Sequence, residues 1–209
     1  MNNHSSYENV NPYDNSRLSK KNQVIKVFDT ISDVYDKVNK ILFFGLHSVW
    51  RKKVVKLLID KKPVKILDIA TGTGDLAIDL IKTNAKNIVG ADISKEMLKI
   101  ARNKVNNHNL NDIIEIQLGD AENLNFQDNY FDTITCSFGV RNFEDLPKAL
   151  QEINRILKPN GTFVVLETSN PENFPFKQIH HLYIKYIVPF VGKMFSKDKC
   201  TFVSYHDED

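Results

Sequence analysis

Cysteine is nearly absent from this sequence of 209 residues: there are two, Cys136 and Cys200, far apart in the chain. A secreted fold stapled by disulfides is therefore excluded, and a reducing compartment is the expectation. The six histidines never join a cysteine at metal-ligand spacing, which rules out zinc fingers and leaves no metal site to expect. Nothing resembles a secretory leader, and none is expected. The sequence also lacks an unbroken apolar run of about 20 residues, the length needed to cross a bilayer. Charge of one sign is scarce too. Lys and Arg number 28 against 26 Asp and Glu, and a net charge of +2 gives no footing for nucleic acid. What remains is a chain with 42% hydrophobic residues, enough for one compact α/β domain and too short for two.

The balanced total conceals an uneven spread. Residues 1–16 carry only Glu8 and Asp14 among many Asn, Ser and Tyr, the composition of a flexible tail. Between Arg17 and Lys62 there are 12 basic residues against 4 acidic ones, and between Pro63 and Asn160 the count turns to 11 against 14. The cationic stretch reads either as a solvated helix face or as attraction to an anionic membrane surface, where each well-placed Lys or Arg contributes about 1 kcal/mol.

Trp50, Val54, Leu57 and Leu58 stand at helical spacing among lysines, which predicts an amphipathic helix over 49–60 that stops before Pro63. The period then changes. Val64-Lys65-Ile66-Leu67-Asp68-Ile69 is a short apolar strand, Gly72 and Gly74 make a turn, and residues 75–82 return to helical spacing. Further strands are expected over 87–91, 113–118, 131–137 and 162–166, with helices over 94–105 and 144–157. Lys158-Pro159-Asn160-Gly161 is expected to end the last helix, since Pro cannot continue it and Gly or Asn accepts a left-handed turn. Strands alternating with helices imply a mostly parallel sheet covered on both faces, a Rossmann-like doubly wound α/β fold. A ligand of such a sheet sits beyond the carboxyl ends of the strands, near the switch point. That singles out residues 68–75, Asp92, Asp120 with Ala121, and residues 137–142.

The first of these stretches contains Gly72-x-Gly74-x-x-Ala77, which meets the loose dinucleotide fingerprint without telling one nucleotide from another. The flanking charges discriminate better. Asp68 and Asp75 would surround a pyrophosphate with negative charge, and two unit charges about 5 Å apart repel by roughly 3 kcal/mol at an effective dielectric near 20. S-adenosylmethionine, with its cationic amino-acid end and its sulfonium, is attracted instead, and Gly72 and Gly74 let the backbone approach it closely. Asp92 ends the second strand where a carboxylate accepts from both ribose hydroxyls; its other reading is a cap on the helix beginning near Ser94. Asp120 is placed to accept from an adenine amino group, with Ala121 leaving room for the ring, unless it is a plain turn aspartate. A nicotinamide cofactor is the competing expectation.

Longer stretches add a family. Tyr35-Asp36-Lys37-Val38-Asn39 through His47-Ser48-Val49-Trp50-Arg51 resembles the Tyr-Asp-x-Met-Asn … His-x-x-Trp-Arg signature of the quinone-ring C-methyltransferases of menaquinone and ubiquinone biosynthesis. Val38 replaces its usual Met and Phe43 its usual Ser. Arg155-Ile156-Leu157-Lys158-Pro159-Asn160-Gly161 through Glu167-Thr168-Ser169 resembles the family's Arg-Val-x-Lys-Pro-Gly-Gly … Glu-x-Ser, with Ile156 and Asn160 as departures. Phe138-Gly139-Val140-Arg141-Asn142 resembles its stretch after the fourth strand. The similarity runs from about Val27 to Pro171. It implies the class I S-adenosylmethionine-dependent methyltransferase fold, with cofactor contacts at Thr73, Asp92, Asp120, Ala121 and Ser137. It also implies loop roles for Gly72 and Gly74 and a place for Asp68 near the methionine end. Asn11-Pro12-Tyr13-Asp14-Asn15-Ser16 resembles the menaquinone branch more than the ubiquinone branch.

The resemblance implies methyl transfer to a ring carbon of a reduced, polyprenylated demethylmenaquinol, with methylation in ubiquinone biosynthesis as the second reading. Such a carbon is a poor nucleophile until a ring hydroxyl loses its proton, so the enzyme has to favour a phenolate and align the reacting atoms. Arg141 is the candidate for the first task, because a permanent guanidinium charge favours the ionised phenol. Its competing role is an ion pair with Glu144 or Asp145. His47 and Tyr35 are the candidates for taking the proton, against packing roles for both.

Residues 17–62 are expected to form a helical cap, 63–167 the cofactor-binding core and 168–209 a lid or substrate region of one domain. Residues 176–195 are apolar but broken by Lys177, His180, His181, Lys185, Pro189 and Lys193, which suits an amphipathic lid or tail-binding helix rather than a span. A cytoplasmic enzyme, peripheral at the inner face of the membrane, is the expectation. Family members continue past the region of Ser204-Tyr205 with a helix and two strands, so the sheet is expected to lack its last strands. The unpaired edge would invite a homo-oligomer or a covering partner. A catalytically impaired cofactor-binding protein is the reading from a different class.

Overall fold

A computed structural model describes residues 18–169, 171 and 173–188. Its first helix, α1 (Lys20–Leu42), starts where the Ser19 side chain accepts from the Asn22 N–H and buries Val24, Val27, Val38 and Leu42 along one side. It ends at a turn in which Phe44 and Gly45 take left-handed backbone (φ 48 and 75), and α2 (Leu46–Ile59) follows. The helix expected over 49–60 thus begins three residues earlier, and it buries Val54, Val55 and Leu58.

Five strands come next: β1 (Lys65–Ile69), β2 (Asn87–Asp92), β3 (Ile114–Leu118), β4 (Phe131–Ser137) and β5 (Leu157–Leu166). They form one sheet in the order β3-β2-β1-β4-β5, with all four pairings parallel. This is the doubly wound topology, and the winding reverses between β1 and β4. Helix α3 (Asp75–Asp79), which runs into a 3-10 turn to Thr83, and α4 (Lys95–Asn107) join α2 on one face. There Leu58, Leu76, Leu80 and Val105 pack on Ile66, Ile88 and Ile114. Helix α5 (Leu146–Ile156) covers the other face, setting Ala149, Ile153 and Ile156 against Leu67, Val89, Phe131 and Ile134. The alternation of Ile66 and Leu67, or Ile88 and Val89, between the two clusters is the strand period at work. Each fully buried side chain of this size contributes about 1.5–3 kcal/mol.

One boundary differs from expectation. The helix expected to reach Leu157 stops at Ile156, and Leu157 is already extended and paired with Phe131. Residues 158–161 then loop out of register, with Asn160 at φ 64, before Thr162 pairs with Thr133. Lys158-Pro159-Asn160-Gly161 is therefore a bulge within β5 as well as a helix stop, a position in which a strand tolerates Pro. Beyond β5, α6 (Phe176–Leu182) leads into a π-helical turn, where Tyr183 and Val188 pack against Val38 and Leu42 and the Tyr183 hydroxyl donates to the Leu42 carbonyl. No helix among the described residues is long and apolar enough to cross a membrane. The expected tail (1–16), the end of the apolar stretch past Val188 and the expected early end of the sheet lie outside the described residues.

Candidate active site

The carboxyl ends of β1, β2, β3 and β4 open into one cleft, placed where ligands of such sheets bind. Its floor is the turn after β1. Ala70 and Gly72 sit in the left-handed region (φ 53 and 56), and a Cβ at Gly72 would meet nothing within 4 Å, so the backbone there lies bare beside the cleft. Asp68 holds this turn from beneath. Fully buried, it accepts from the Thr71 hydroxyl on one oxygen and the Thr135 hydroxyl on the other, each at 2.6 Å. Burial pushes its carboxyl up to about 6, against the pull of those two donors. Both Asp68 oxygens face threonines, and the residue is not among those lining the cleft, so it stands behind the turn.

Asp92, at the end of β2, lines the cleft and accepts from the Gly72 N–H (2.8 Å) and the Ser94 N–H (2.9 Å). Burial raises its carboxyl, opposed by the backbone donors of Ser94, Gly72 and Ile93. Ser94 is itself the N-cap of α4, its hydroxyl accepting from Met97. Asp120, Ala121 and Ser137 line the cleft as well. Thr73 and Gly74 do not. The Thr73 hydroxyl donates to Asp36 (2.7 Å) and accepts from Lys104 (2.9 Å), while Gly74 (φ 80) caps α3 with its position 3.0 Å, at the Cβ it lacks, from the Ala101 Cβ. Lys104 also pairs with Asp36 and Asp75 at 2.6 Å each, and Arg51 reaches Asp75 (3.2 Å) and Asp79 (2.9 Å). Asp75 is therefore a balanced charge, and the repulsion of a pyrophosphate expected from Asp68 and Asp75 together is weaker than the sequence suggests.

The roof is α1, within the helical cap expected over 17–62; of its residues only Tyr35 is among the sequence candidates for the site. Lys21, Val24, Phe28 and Tyr35 line the cleft from above. Lys21 reaches Asp120 (2.8 Å) and Glu122 (2.9 Å), Asp29 accepts from the Ser94 hydroxyl (2.6 Å), and Asp36 closes the far end on Thr73 and Lys104. Glu122 is buried and also accepts from the N–H groups of Glu144 and Asp145. The sign available in the sequence was polar residues at Lys21, Asp29 and Asp36 beside an apolar stripe, but their partners are distant in the chain.

Of the candidates for handling the quinol proton, Tyr35 is held protonated by burial, which raises its phenol above the ordinary value. His47 stacks among Phe43 (4.1 Å between ring centres), Phe138 (4.7 Å) and Trp50 (5.5 Å). Its Nε2 is buried without a hydrogen-bond partner, and burial with the Arg51 charge nearby lowers the imidazole to about 4. Arg141 lies on a short 3-10 turn after β4, and its guanidinium donates to Glu167 (2.8 Å) and to the Thr168 hydroxyl (3.0 Å). Its ion pair is therefore with Glu167, not with Glu144 or Asp145. The guanidinium does not reach the cleft wall in this state.

A parallel sheet in this order, with a glycine turn after β1 and carboxylates after β2 and β3, defines the Rossmann-like class I architecture of S-adenosylmethionine-dependent methyltransferases. Solved structures agree. A Methanococcus maripaludis protein, provisionally assigned as an S-adenosylmethionine-dependent methyltransferase, is 27% identical with a TM-score of 0.59, covering 84% of this chain and 75% of its own. The [4+2]-cyclase SpnF shares the fold at a TM-score of 0.63 and 22% identity, covering 75% of this chain and 62% of its own. The cyclase is a reminder that the fold alone does not dictate the chemistry. The model of the ubiE/COQ5 methyltransferase family matches residues 16–207, and the chain belongs to that family. Its relatives include the demethylmenaquinone methyltransferases of Bacteroides fragilis, 41% identical over 93% of this chain and 80% of that protein, and of Staphylococcus carnosus, 45% identical over 87% and 75%.

Proposed function

We propose that this chain methylates a ring carbon of reduced demethylmenaquinol, with S-adenosylmethionine as donor. The observation that carries the reading is likeness along most of the chain to proteins named demethylmenaquinone methyltransferase, joined to a cleft at the switch point of the matching fold.

The cleft fits the donor. The bare Gly72 backbone permits close approach, Asp92 retains lone pairs for ribose hydroxyls, Asp120 with Ala121 would hold the adenine end, and Ser137 at the end of β4 is a further contact. Thr73 and Gly74 set the turn, and Asp68 supports it. When bound, S-adenosylmethionine supplies a methyl group made electrophilic by its sulfonium.

The protein's own tasks are to orient the quinol ring, exclude water and favour loss of a ring hydroxyl proton. Arg141 is assigned the last. A permanent charge near the phenol oxygen lowers its pKa, and a guanidinium bonded to Glu167 and Thr168 through one nitrogen keeps other N–H donors for a ligand. Tyr35, protonated in the roof, serves as a donor or a wall rather than as the base. His47 stays neutral at physiological pH and is able to accept a proton only transiently.

The test is incubation with labelled S-adenosylmethionine and a reduced short-tail demethylmenaquinone. Label in the naphthoquinol is the expected result, and Arg141→Ala should lower turnover at least tenfold with donor affinity unchanged. Label only in a benzoquinol would move the protein to ubiquinone biosynthesis. Donor binding without transfer to either quinol would leave a binding protein, and uptake of NADH in place of the sulfonium compound would overturn the reading altogether.

A further inference from the structure

The turn between α1 and α2 carries apolar side chains that nothing among the described residues covers. Phe44 is 82% exposed, and Ile41, Leu46 and Val49 beside it are exposed too. Isolated apolar side chains on a surface need no explanation, but four around one turn make a patch. Helical spacing places Lys37, Lys40 and Ile41 along one exposed side of α1, just before Phe44 in the turn, and Leu46, Val49, Lys52, Lys53 and Lys56 along one side of α2. From Lys37 to Ile59 the chain has five Lys, one Arg and no acidic residue. Arg51 is engaged by Asp75 and Asp79, whereas all five lysines are exposed. The Tyr183 bond to Leu42 brings the exposed Leu182, Lys185, Tyr186 and Ile187 to the same corner.

Apolar tips rimmed by long cationic side chains match the boundary between lipid headgroups and acyl chains, where the tips enter and the lysines extend to the phosphates. Charge of one sign over the end of α1 and the length of α2, from Lys37 to Ile59, is complementary to an anionic bilayer. Behind Phe44, the rings of Phe43, His47 and Trp50 run on to Phe138, which lines the cleft. The corner and the cleft wall are thus joined by one packed cluster of rings.

We infer that the α1–α2 turn and the faces beside it are a docking surface for an anionic lipid bilayer. Phe44, Ile41, Leu46 and Val49 enter the interface while Lys37, Lys40, Lys52 and Lys53 bind headgroups. The inference rests on the proposed function for its purpose, the capture of a tailed quinol, but its test needs no turnover. The full chain is sedimented with phosphatidylcholine vesicles with and without phosphatidylglycerol. Binding to the anionic vesicles at low salt, much weaker on phosphatidylcholine alone, is expected. Lys40→Gln and Lys53→Gln should each weaken it by about fivefold. Phe44→Asn, which suits left-handed backbone, should weaken it several-fold, with the melting temperature and the methylation of a short-tail quinol unchanged.

Wild-type protein that ignores anionic vesicles, variants that bind as wild type does, or self-association lost in Phe44→Asn without vesicle binding would each overturn the inference. Vesicle binding without quinol methylation would remove the proposed function and leave the surface standing. Methylation of a short-tail quinol by a protein that ignores vesicles would do the reverse.

Discussion

The floor of the cleft hangs on one buried carboxylate shared by two threonine hydroxyls, whereas its roof is fastened by ion pairs at the surface. On the floor, Asp68 is excluded from water and its bonds to Thr71 and Thr135 are short. Salt does not reach it. On the roof, Lys21 is 27% exposed and its partner Asp120 32%, and Asp36 is 41% exposed. Such pairs each contribute about 0–1 kcal/mol and weaken as ionic strength rises. The difference teaches which half of the site is preorganised. The turn that lines the cleft is fixed by buried bonds, and several of the bonds that hold the helix above are within reach of water and salt.

Breaking the floor should have the largest effect. Asp68→Ala strands two buried hydroxyls and opens a void, and is expected to destabilise the fold by about 3–4 kcal/mol in chemical denaturation. Asp68→Asn separates charge from shape. The Asp68 carboxyl in the fold, at about 6, lies above its ordinary 3.8, so the folded state holds that proton more tightly than the unfolded chain does. The group therefore favours folding below pH 3.8, and that advantage is lost as pH rises through 6. Relative to wild type, Asp68→Asn should gain about 2–3 kcal/mol between pH 4 and pH 7. A constant difference across that range would show that the Asp68 carboxyl titrates in the fold as it does in the unfolded chain.

Gly74→Ala tests the same half more gently. A side chain at φ 80 costs about 1–2 kcal/mol, and its Cβ would stand 3.0 Å from that of Ala101, so a loss of about 2 kcal/mol is expected. The roof should answer differently. Lys21→Met removes an exposed pair to Asp120 and also a cation from the buried Glu122, which keeps the Glu144 and Asp145 N–H donors, so a loss of about 1–2 kcal/mol is expected. Its expected signature is kinetic: donor release several-fold faster by stopped flow, with a flatter dependence on salt than wild type. Slow, salt-sensitive release from Lys21→Met would mean that the roof is fastened elsewhere.

The same contrast explains what the sequence made legible. The five strands, the turn after β1 and the acidic residues at strand ends follow from short-range periodicity and from the rule that such sheets bind at their carboxyl ends, so Gly72, Asp92, Asp120, Ala121 and Ser137 were picked out before any contact was known. The roof was not legible. Lys21 and Asp120 are separated by 99 residues and Asp36 and Thr73 by 37, and no local pattern pairs them. Asp68 is legible as a residue of the strand end, but its two threonine partners are not, because spacing does not say which way a side chain turns. The bulge over residues 158–161 was hidden for a related reason: Pro159 and Asn160 end a helix in the same residues that interrupt a strand.

His47 sits between the two halves, touching Phe138 beside the floor and Phe43 at the end of the roof helix, and it offers the smallest effect at neutral pH. Its imidazole, lowered to about 4 from the ordinary 6.5, is neutral in the fold, so between these values the unfolded chain binds the extra proton. Stability is therefore lost as pH falls from 6.5 toward 4, opposite in sign to the Asp68 contribution over nearly the same window. The two tend to cancel in wild type. His47→Phe keeps the stacked surface, removes the partnerless Nε2 and should alter stability at pH 7 by no more than about 1 kcal/mol, in the stabilising direction. Thermal melts from pH 7 down to pH 4 should then show the raised carboxyls, Asp68 and Asp92, without the opposing imidazole, with the variant gaining on wild type as the solution is acidified. Parallel melting curves for the two proteins would place the His47 proton in solvent and remove the packed, neutral ring from the account.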